Sequence, residues 1–248
     1  MSNAAYREVE VDLEVRRREQ SADGVVTLTL ADPSGADLPE WTPGAHIDLV
    51  MTSSLTRQYS LCGSTASRSE WQVGILLDPN SRGGSQHVHD KLHEGTTVRV
   101  RGPRNHFALV NSPRYQFVAG GIGITPMLPM IEAAEATGAD WQLIYGGSSR
   151  SSMAYLDALE RFGDRVTICA RDEEGDGFRT KLAAVLAAPQ ANTLVYCCGP
   201  EGLLDAVEKG CQAWPDGSLH LERFSAKTVE SPADALDTFE VECQRSGV

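Results

Sequence analysis

The feature that most constrains this chain is a change in its hydrophobic rhythm near residue 112. Before it, apolar and polar residues alternate in short runs, such as 9–15 and 26–30, and clusters of Gly, Pro, Ser and Asn separate the runs. Short alternating runs bounded by turn residues are typical of antiparallel strands. After it, compact apolar runs alternate with helical segments, which is typical of βαβ units and a parallel sheet. The sequence therefore predicts a closed antiparallel β-barrel followed by an α/β nucleotide-binding domain with a parallel sheet.

The predicted elements follow from these two patterns. The remaining barrel strands are predicted at residues 46–51, 57–62, 70–77 and 96–101, with one short helix at 86–93. In the α/β domain, strands are predicted at residues 115–119, 141–145, 165–170, 193–197 and 218–224, and helices at 126–136, 153–162, 181–187 and 202–213. We expect the first domain over residues 1–112, the second over 113–226, and a polar linker followed by an unpaired strand over 227–248.

Charge and hydropathy exclude several classes of protein. The 248 residues include 22 basic and 34 acidic ones, and the resulting net charge of -12 would be repelled by the phosphates of nucleic acids. No apolar run reaches the ~20 residues of a membrane helix. Residues 1–10 contain no signal-peptide core. We therefore expect a cytoplasmic protein that binds neither nucleic acid nor membranes.

Cysteine and histidine spacing gives no indication of a metal centre. The six cysteines, at positions 62, 169, 197, 198, 211 and 243, form neither a CxxC pair nor the C-x4-C-x2-C spacing of a plant-type iron–sulfur site. A disulfide scaffold is not expected in a cytosolic chain of this size. His87, His89 and His93 are close in sequence, but the only acidic neighbours are Asp90 and Glu94. We expect neither a metal ion nor a cluster in this chain.

A first candidate site combines Arg57-Gln58-Tyr59-Ser60-Leu61-Cys62 with Arg82-Gly83-Gly84-Ser85. Arginine offers a cationic fork for phosphate, tyrosine a flat face, and a serine hydroxyl can bond to a ring nitrogen. An ordinary barrel strand would explain the hexapeptide alone, but the second motif would add an anion cradle of amides at a helix start. Residues 57–114 carry eight basic and four acidic residues, and this local charge of +4 suits a phosphate group or an acidic partner.

A second candidate site is Gly120-Gly121-Ile122-Gly123-Ile124-Thr125-Pro126, directly after a predicted strand. Glycines let the backbone approach a ligand closely, while Thr125 is expected to cap the following helix and Pro126 to lie in its first turn. A helix start with free amides favours a phosphate or a carboxamide. The motif is not GxGxxG, and a tight turn without a ligand is the alternative.

Two later strands also end in distinctive residues. In Tyr196-Cys197-Cys198-Gly199-Pro200, we expect Cys197 to be buried in the core and Cys198 to face a flat ring. In Glu222-Arg223-Phe224, Phe224 would either stack on an aromatic cofactor or fill the core.

If the α/β domain binds a nicotinamide dinucleotide, the segment after its second strand bears on which one it prefers. Gly147, Ser148 and Arg150 lie there without the acidic neighbour that accepts the ribose hydroxyl of NADH. Arg150 can accommodate a 2′-phosphate, which favours NADPH, although arginine is equally common on a solvated loop.

Together these stretches resemble the ferredoxin reductase superfamily. More narrowly, they are similar to the phthalate dioxygenase reductase family, including vanillate demethylase reductases and the reductase portion of self-sufficient cytochromes P450. The resemblance extends over residues 8–226 and rests on RQYSLCG (57–63), RGGS (82–85), GPRNHF (102–107), AGGIGITPML (119–128), YCCGP (196–200) and HLERF (220–224).

The resemblance implies FMN, rather than FAD, in the barrel and NADH or NADPH in the α/β domain. The residues implied for FMN are Arg57, Gln58, Tyr59, Ser60, Ile75, Leu76, Arg82, Gly83, Gly84, Ser85, Thr125 and Phe224. Those implied for NAD(P)H are Gly120, Gly121, Ile122, Thr125, Gly147, Ser148, Arg150, Cys198, Gly199 and Pro200. Ser60, close to flavin N5, is an implied catalytic residue together with Cys198 and Glu222, and Phe224 would cover the flavin until the nicotinamide displaces it.

The implied reaction is hydride transfer from nicotinamide C4 to flavin N5, then single-electron delivery to a [2Fe–2S] ferredoxin domain that serves a Rieske-type oxygenase or a cytochrome P450. Residues 238–243 resemble the first strand of that ferredoxin domain, but its cluster cysteines are absent from the sequence. We therefore expect a truncated or fragmentary, monomeric chain that reduces flavin but delivers electrons poorly. A free flavin or quinone reductase, and a binding module without turnover, are the alternatives.

Overall fold

The computed structural model describes residues 8–79 and 82–224, which form two sheets. The first sheet contains β1 (Val9–Ala22), β2 (Val25–Ala31), β3 (Ala45–Thr52), β4 (Leu55–Ser60), β5 (Trp71–Leu76) and β6 (Thr97–Asn105), with helix α1 (Gly84–Lys91) between β5 and β6. The second contains β7 (Arg114–Gly120), β8 (Asp140–Gly147), β9 (Val166–Ala170), β10 (Thr193–Cys198) and β11 (Leu219–Glu222). Its helices are α2 (Met127–Ala136), α3 (Leu156–Glu160), α4 (Arg171–Glu174), α5 (Gly177–Leu186) and α6 (Glu201–Gly210).

The antiparallel sheet closes into a barrel. Its strand order is β4-β3-β6-β1-β2-β5, and the two edges meet where Leu61 bridges Val73. Next to this bridge, the amide of Cys62 donates to the carbonyl of Gln72 at 2.9 Å. Buried aliphatic side chains from the strands fill the interior. The predicted closed antiparallel barrel is therefore confirmed, and its interior is occupied by core, so that ligands must bind at its rim.

The parallel sheet has the order β11-β10-β7-β8-β9 and is covered by helices on both faces. Side chains of α2 pack with one core, which includes Tyr196 and Cys198, and side chains of α5 and α6 pack with the other, which includes Cys197. β7 comes first in the chain but lies in the middle, with β8 on one side and β10 on the other. Open α/β sheets bind ligands at the carboxyl ends of strands that flank such a reversal.

Several elements differ in length from the prediction. β1 continues past residue 15, because irregularities near Val15 and Gln20 keep its polar second half paired with β2. The helix predicted at 153–162 is reduced to α3, because Tyr155 has a left-handed backbone with φ 64°. Helix α4 was not predicted, and α5 begins four residues before 181. α6 and β11 both end before the predicted residues 213 and 224.

The predicted domain boundary at 112/113 falls in the segment between β6 and β7. The predicted linker at 227–237 and strand at 238–243 lie outside the described residues. In the ranges that the structure describes, every helix is too short or too polar to cross a membrane.

Candidate functional site

A cavity of about 570 Å³ lies between the rim of the barrel and the carboxyl edge of the parallel sheet. The residues that the barrel contributes, called here the barrel wall, are Arg57, Gln58, Tyr59, Ser60, Gly74, Leu76, Asp78, Arg82 and Ser85. Those of the second domain, the α/β wall, are Gly120, Gly121, Ile122, Gly123, Thr125, Gly199, Pro200, Glu201, Leu204, Arg223 and Phe224. The two candidate sites predicted from sequence therefore face one space.

The barrel wall has a corner suited to an anion, formed by Arg57, Arg82 and Ser85. Arg57 lies on β4 and donates to the carbonyls of Thr56 at 2.7 Å and Arg82 at 2.9 Å. A side chain at Gly84 would overlap the stem of Arg57, so a glycine is needed for α1 to begin against it. Helix α1 has no acidic residue in its first turn. The amides and the dipole at its N-terminus therefore add to the attraction of an anion.

The cations of this anion corner differ from the other basic residues of the barrel. Arg99, Arg101 and Arg104 form ion pairs with acids of β1, β3 and the residue before β1. Arg68 pairs with Glu40 at 2.7 Å. Among the described residues, neither Arg57 nor Arg82 has a carboxylate partner. Acids on the outer surface thus neutralise most of the positive charge of residues 57–114. At the cavity, Arg57 and Arg82 form no ion pair with a described residue, and they share the barrel wall with Asp78.

Ser60 and Glu222 connect the barrel to the second domain. Ser60 is buried at the end of β4, and its side chain is close enough to the Glu222 carboxylate at the end of β11 to influence the pKa of that group. The Oε2 atom of Glu222 is buried and has no hydrogen-bond partner among the described residues. Burial raises the pKa of Glu222 to about 7, and the nearby Ser60 hydroxyl opposes part of that rise. A carboxyl group that titrates near neutral pH therefore lies beside a serine of the cavity.

The α/β wall consists largely of backbone. Gly120 ends β7, and Gly199 follows β10, so both lie at the reversal of strand order. A side chain at Gly123 would overlap the carbonyl of Cys198, so a glycine is required for these two turns to touch. Close contact between two backbone turns leaves a surface that accepts a flat group without side-chain interference.

The predicted helix cap at Thr125 is wrong. Residues Gly121–Ile124 form a 3₁₀ turn before α2, and the Thr125 hydroxyl donates to the Ile122 carbonyl at 2.9 Å. Pro126 precedes α2, which has no side-chain cap. The hydroxyl closes the turn instead of accepting from the helix, because the chain is already helical when it reaches Thr125.

Some predicted residues are not exposed to the cavity. Ile75 points into the barrel core, whereas its neighbours Gly74 and Leu76 line the cavity. Cys198 is fully buried, and burial raises the pKa of its thiol well above the usual value, with Glu222 adding to the rise. Cys198 therefore supports the α/β wall with its backbone, while its thiol remains protonated behind that wall. Gly83 and Gly84 shape the anion corner from outside the cavity lining.

Sequence reasoning missed several lining residues: Gly74, Asp78, Glu201, Leu204 and Arg223. Arg223 forms ion pairs with Glu201 at 3.3 Å and Glu208 at 3.0 Å, both on α6. These pairs hold the end of β11 where Phe224, 49% exposed, lines the cavity. The sequence did contain a signal for Arg223. It lies between Glu222 and Phe224 in the alternating pattern at the end of a strand, where its charge requires a partner.

The segment proposed for coenzyme selection lies apart from the cavity lining, and its surroundings differ from the prediction. Gly147 ends β8, and Ser148 and Arg150 follow it. Arg150 donates two hydrogen bonds to Glu173 on α4, at 2.9 and 3.0 Å. The segment itself contains no acidic residue, as noted from the sequence, but adjacent parallel strands bring the loops after β8 and β9 together and so place an acid of α4 beside Arg150.

Comparison with known proteins identifies the family. Residues 117–209 match the family model of the oxidoreductase NAD-binding domain. The phenoxybenzoate dioxygenase subunit beta of Ectopseudomonas oleovorans is 39% identical over 246 residues, which cover 99% of this chain and 76% of that protein. The solved phthalate dioxygenase reductase, whose structure is described as modular for electron transfer from pyridine nucleotides to [2Fe–2S], is 33% identical, with a TM-score of 0.82 over 89% of this chain and 70% of that chain.

This chain belongs to the phthalate dioxygenase reductase-like family. The membership confirms the resemblance inferred from the six sequence motifs, and with it the ferredoxin reductase-like fold. An intact type IV self-sufficient cytochrome P450 monooxygenase is also similar, at 46% identity and a TM-score of 0.84 over 89% of this chain. The match covers 29% of the P450 chain, so the similarity is limited to one part of that protein.

Proposed function

We propose that this phthalate dioxygenase reductase-like chain is an FMN-dependent NAD(P)H oxidoreductase in which the barrel wall holds the flavin and the α/β wall holds the nicotinamide. The observation that supports this most strongly is the single cavity that both walls line. Hydride transfer requires the reacting atoms to lie about 3–3.5 Å apart, and a shared cavity can provide that contact.

The anion corner fits the phosphate of a flavin mononucleotide. Arg57 and Arg82 bring two positive charges that form no ion pair with a described residue, and Ser85 adds a hydroxyl at the start of α1. Tyr59 is partly buried and offers its ring to the cavity, and Leu76 offers an apolar edge. A bound flavin would supply a hydride acceptor and a one-electron donor in one group. The remaining residues assigned here, Gln58, Gly83 and Gly84, would shape the space around it.

The α/β wall fits the nicotinamide of the coenzyme. Gly120, Gly121, Ile122 and Gly199 present backbone groups to the cavity, where a carboxamide can exchange hydrogen bonds with them. Pro200 and Thr125 limit the space at its sides. Phe224 is half-exposed over the same space, and we propose that it covers the flavin until the nicotinamide takes its place.

Ser60 and Glu222 would supply the polar chemistry between the walls. The Ser60 hydroxyl can donate to a ring nitrogen, and the protonated carboxyl of Glu222 can keep that hydroxyl oriented by accepting or donating a hydrogen bond. Below a pH of about 7 the carboxyl holds its proton, because burial raises the pKa of Glu222 to about 7. The Cys198 thiol packs behind this pair and stays neutral.

Coenzyme selection would depend on the Arg150–Glu173 pair. Arg150 can bind the 2′-phosphate of NADPH only if its guanidinium leaves the two hydrogen bonds to Glu173. Glu173 is placed to repel that phosphate, and an acid in this region favours the free ribose hydroxyl of NADH. Arg150 thus favours NADPH, as predicted from sequence, and Glu173 works against it.

We further propose that electrons leave singly to a [2Fe–2S] ferredoxin that serves an oxygenase or a cytochrome P450. The support comes from the relatives: one is named a dioxygenase subunit, another transfers electrons from pyridine nucleotides to [2Fe–2S], and a third is a P450 monooxygenase.

The flavin assignment is tested by releasing the bound flavin from the purified protein and comparing it with FMN and FAD by chromatography. Protein that is colourless as purified is first supplied with each flavin. We expect stoichiometric FMN. Stoichiometric FAD would contradict the choice of flavin, and failure to retain either one would contradict the function of the anion corner.

A further inference from the structure

The side chain of Tyr155 extends from the α/β domain into the barrel. Its hydroxyl oxygen lies 2.7 Å from Oγ1 of Thr27 on β2 and 3.5 Å from Sγ of Cys62. Thr27 is buried, and its hydroxyl also lies 2.5 Å from that of Ser21 on β1. Burial raises the pKa of Tyr155, so its phenol keeps its proton as a hydrogen-bond donor or acceptor.

The backbone of Tyr155 is strained in order to reach this position. Its φ of 64° and ψ of 21° lie in the left-handed region, which bulky residues rarely adopt. The segment before it has a second link to the barrel, because the amide of Asp23 donates to the carbonyl of Ser151 at 2.8 Å. Such strain persists only where surrounding contacts hold it, and it is common at functional positions.

The ring of Tyr155 meets the barrel at a lining residue of the cavity. A side chain at Gly74 would overlap the hydroxyl of Tyr155 and would lie 2.9 Å from the methyl of Thr125. Gly74 belongs to the barrel wall and Thr125 to the α/β wall. The two walls are therefore in close contact where Tyr155, Thr125 and Gly74 meet, and a larger residue at 74 would force them apart.

We infer that Tyr155, Thr27 and Gly74 form an interdomain clasp that sets the distance between the two walls, and that Tyr155 is a positioning residue for hydride transfer. This inference rests on the proposed function, because the distance matters only if the walls hold the two reacting groups. Tyr155 does not line the cavity, so its effect is on the separation of the walls rather than on the binding of either ligand.

The test uses Tyr155→Phe, which removes the hydroxyl and keeps the ring, and Thr27→Val, which removes the partner hydroxyl and keeps its shape. Anaerobic stopped-flow measurements give the limiting rate of flavin reduction and the coenzyme Kd separately. We expect each variant to lower the limiting rate about tenfold, since small misplacements of reacting groups slow a reaction strongly. Flavin content and Kd should change less than about twofold, and the double variant should be no slower than either single one.

Tyr115→Phe is the matched control. Its hydroxyl bonds to the backbone of Val110 and Ser112, away from the cavity, so reduction should keep its normal rate. A primary deuterium isotope effect, measured with coenzyme labelled at C4, should change in Tyr155→Phe and stay constant in the control. Reduction of Tyr155→Phe at the wild-type rate, with an unchanged isotope effect, would overturn the inference.

Failure of the proposed function would be seen differently, because the wild-type protein would then not be reduced at all. The clasp is in that case tested by hydrogen exchange on the full chain. Tyr155→Phe should increase exchange in residues 25–31 and 149–156 together, with no change in Tyr115→Phe. Unchanged exchange in both segments would contradict the clasp independently of any redox activity.

Discussion

The two walls of the cavity are built in different ways. The barrel wall presents charged, hydroxyl and aromatic side chains, among them Arg57, Tyr59 and Ser60. The α/β wall presents mainly backbone, with four glycines among its lining residues and Phe224 at its edge. Charge-assisted hydrogen bonds from side chains are stronger than the neutral hydrogen bonds that a backbone surface offers. This contrast is the reason for proposing the resident flavin on the barrel wall and the exchanging coenzyme on the α/β wall.

The strongest test of this contrast removes the charge from the barrel wall. Arg57→Ala should lower flavin affinity about 100-fold, since charge-assisted hydrogen bonds to phosphate contribute about 1.5–3 kcal/mol. The matched control is Arg68→Ala, which breaks an exposed ion pair with Glu40 elsewhere on the barrel. Flavin titration followed by fluorescence measures both variants. Equal flavin affinity in Arg57→Ala and the wild type would remove the basis for placing the phosphate there.

On the α/β wall, the corresponding substitution should alter the shape of the backbone surface rather than its charge. Gly123→Ala must displace the carbonyl of Cys198, and overpacking of this kind costs about 1–3 kcal/mol. We expect a lower Tm and a coenzyme Kd raised about tenfold, with flavin content unchanged. Gly202→Ala is the control, because a methyl group there meets open space. Loss of flavin with normal coenzyme binding would reverse the assignment of the two walls.

A change in pH should affect the ionisation of Glu222, which lies beside Ser60 of the barrel wall, and with it the stability of the protein. The folded pKa of Glu222, about 7, lies above its ordinary value of 4.5, so the folded state holds this proton more tightly than the unfolded chain. Stability should therefore be greatest below pH 4.5 as far as this group is concerned, and should fall by about 3 kcal/mol as the pH rises from 4.5 to above 7.

Glu222→Gln cannot ionise and should lack that loss of stability, which urea unfolding at pH 5 and pH 8 would measure. The limiting rate of flavin reduction should fall above pH 7 in the wild type and be flat in the variant. A wild-type profile that stays flat from pH 6 to 8 would contradict the titration of Glu222.

Ser60→Ala should keep the flavin, but its flavin should be reduced about fivefold more slowly, since a neutral hydrogen bond contributes about 1 kcal/mol.

The smallest effect is expected at the coenzyme segment. Glu173→Gln removes the charge that neutralises Arg150, and exposed ion pairs contribute about 0.2–1 kcal/mol, so the preference for NADPH over NADH should rise about threefold. Glu174→Gln is the control, since Glu174 lies next in the chain but pairs with Lys181 at 2.7 Å. A ratio of kcat/KM values that moves equally in both variants would show only a change in overall charge.

The fold and the two walls could be predicted from sequence because local patterns determine them. Period-two alternation indicated the barrel, and strand–helix alternation with glycine turns indicated the parallel sheet. Contacts between distant residues could not be predicted, since nothing near Arg150 in the chain points to Glu173. The same holds for Gly74, which looks like an ordinary strand glycine until Tyr155 and Thr125 meet it in space.

The backbone of Tyr155 is a second example of this limit. Residues 153–162 have the composition of a helix, and the left-handed turn at Tyr155 exists only because tertiary contacts with the barrel hold it. The burial of the Cys198 side chain could not be predicted from the sequence either. The alternation of a strand shows which face of the sheet a residue is on, but not which groups cover that face.

An anaerobic visible spectrum of the FMN-loaded wild-type protein, before and after one equivalent of NADH or NADPH, tests whether the two walls bring hydride donor and acceptor together. We expect the flavin absorbance to bleach in a single phase, because both ligands share one cavity. A protein that retains FMN but stays oxidised with both coenzymes would show that the two walls do not bring the reacting groups together, and would contradict the account.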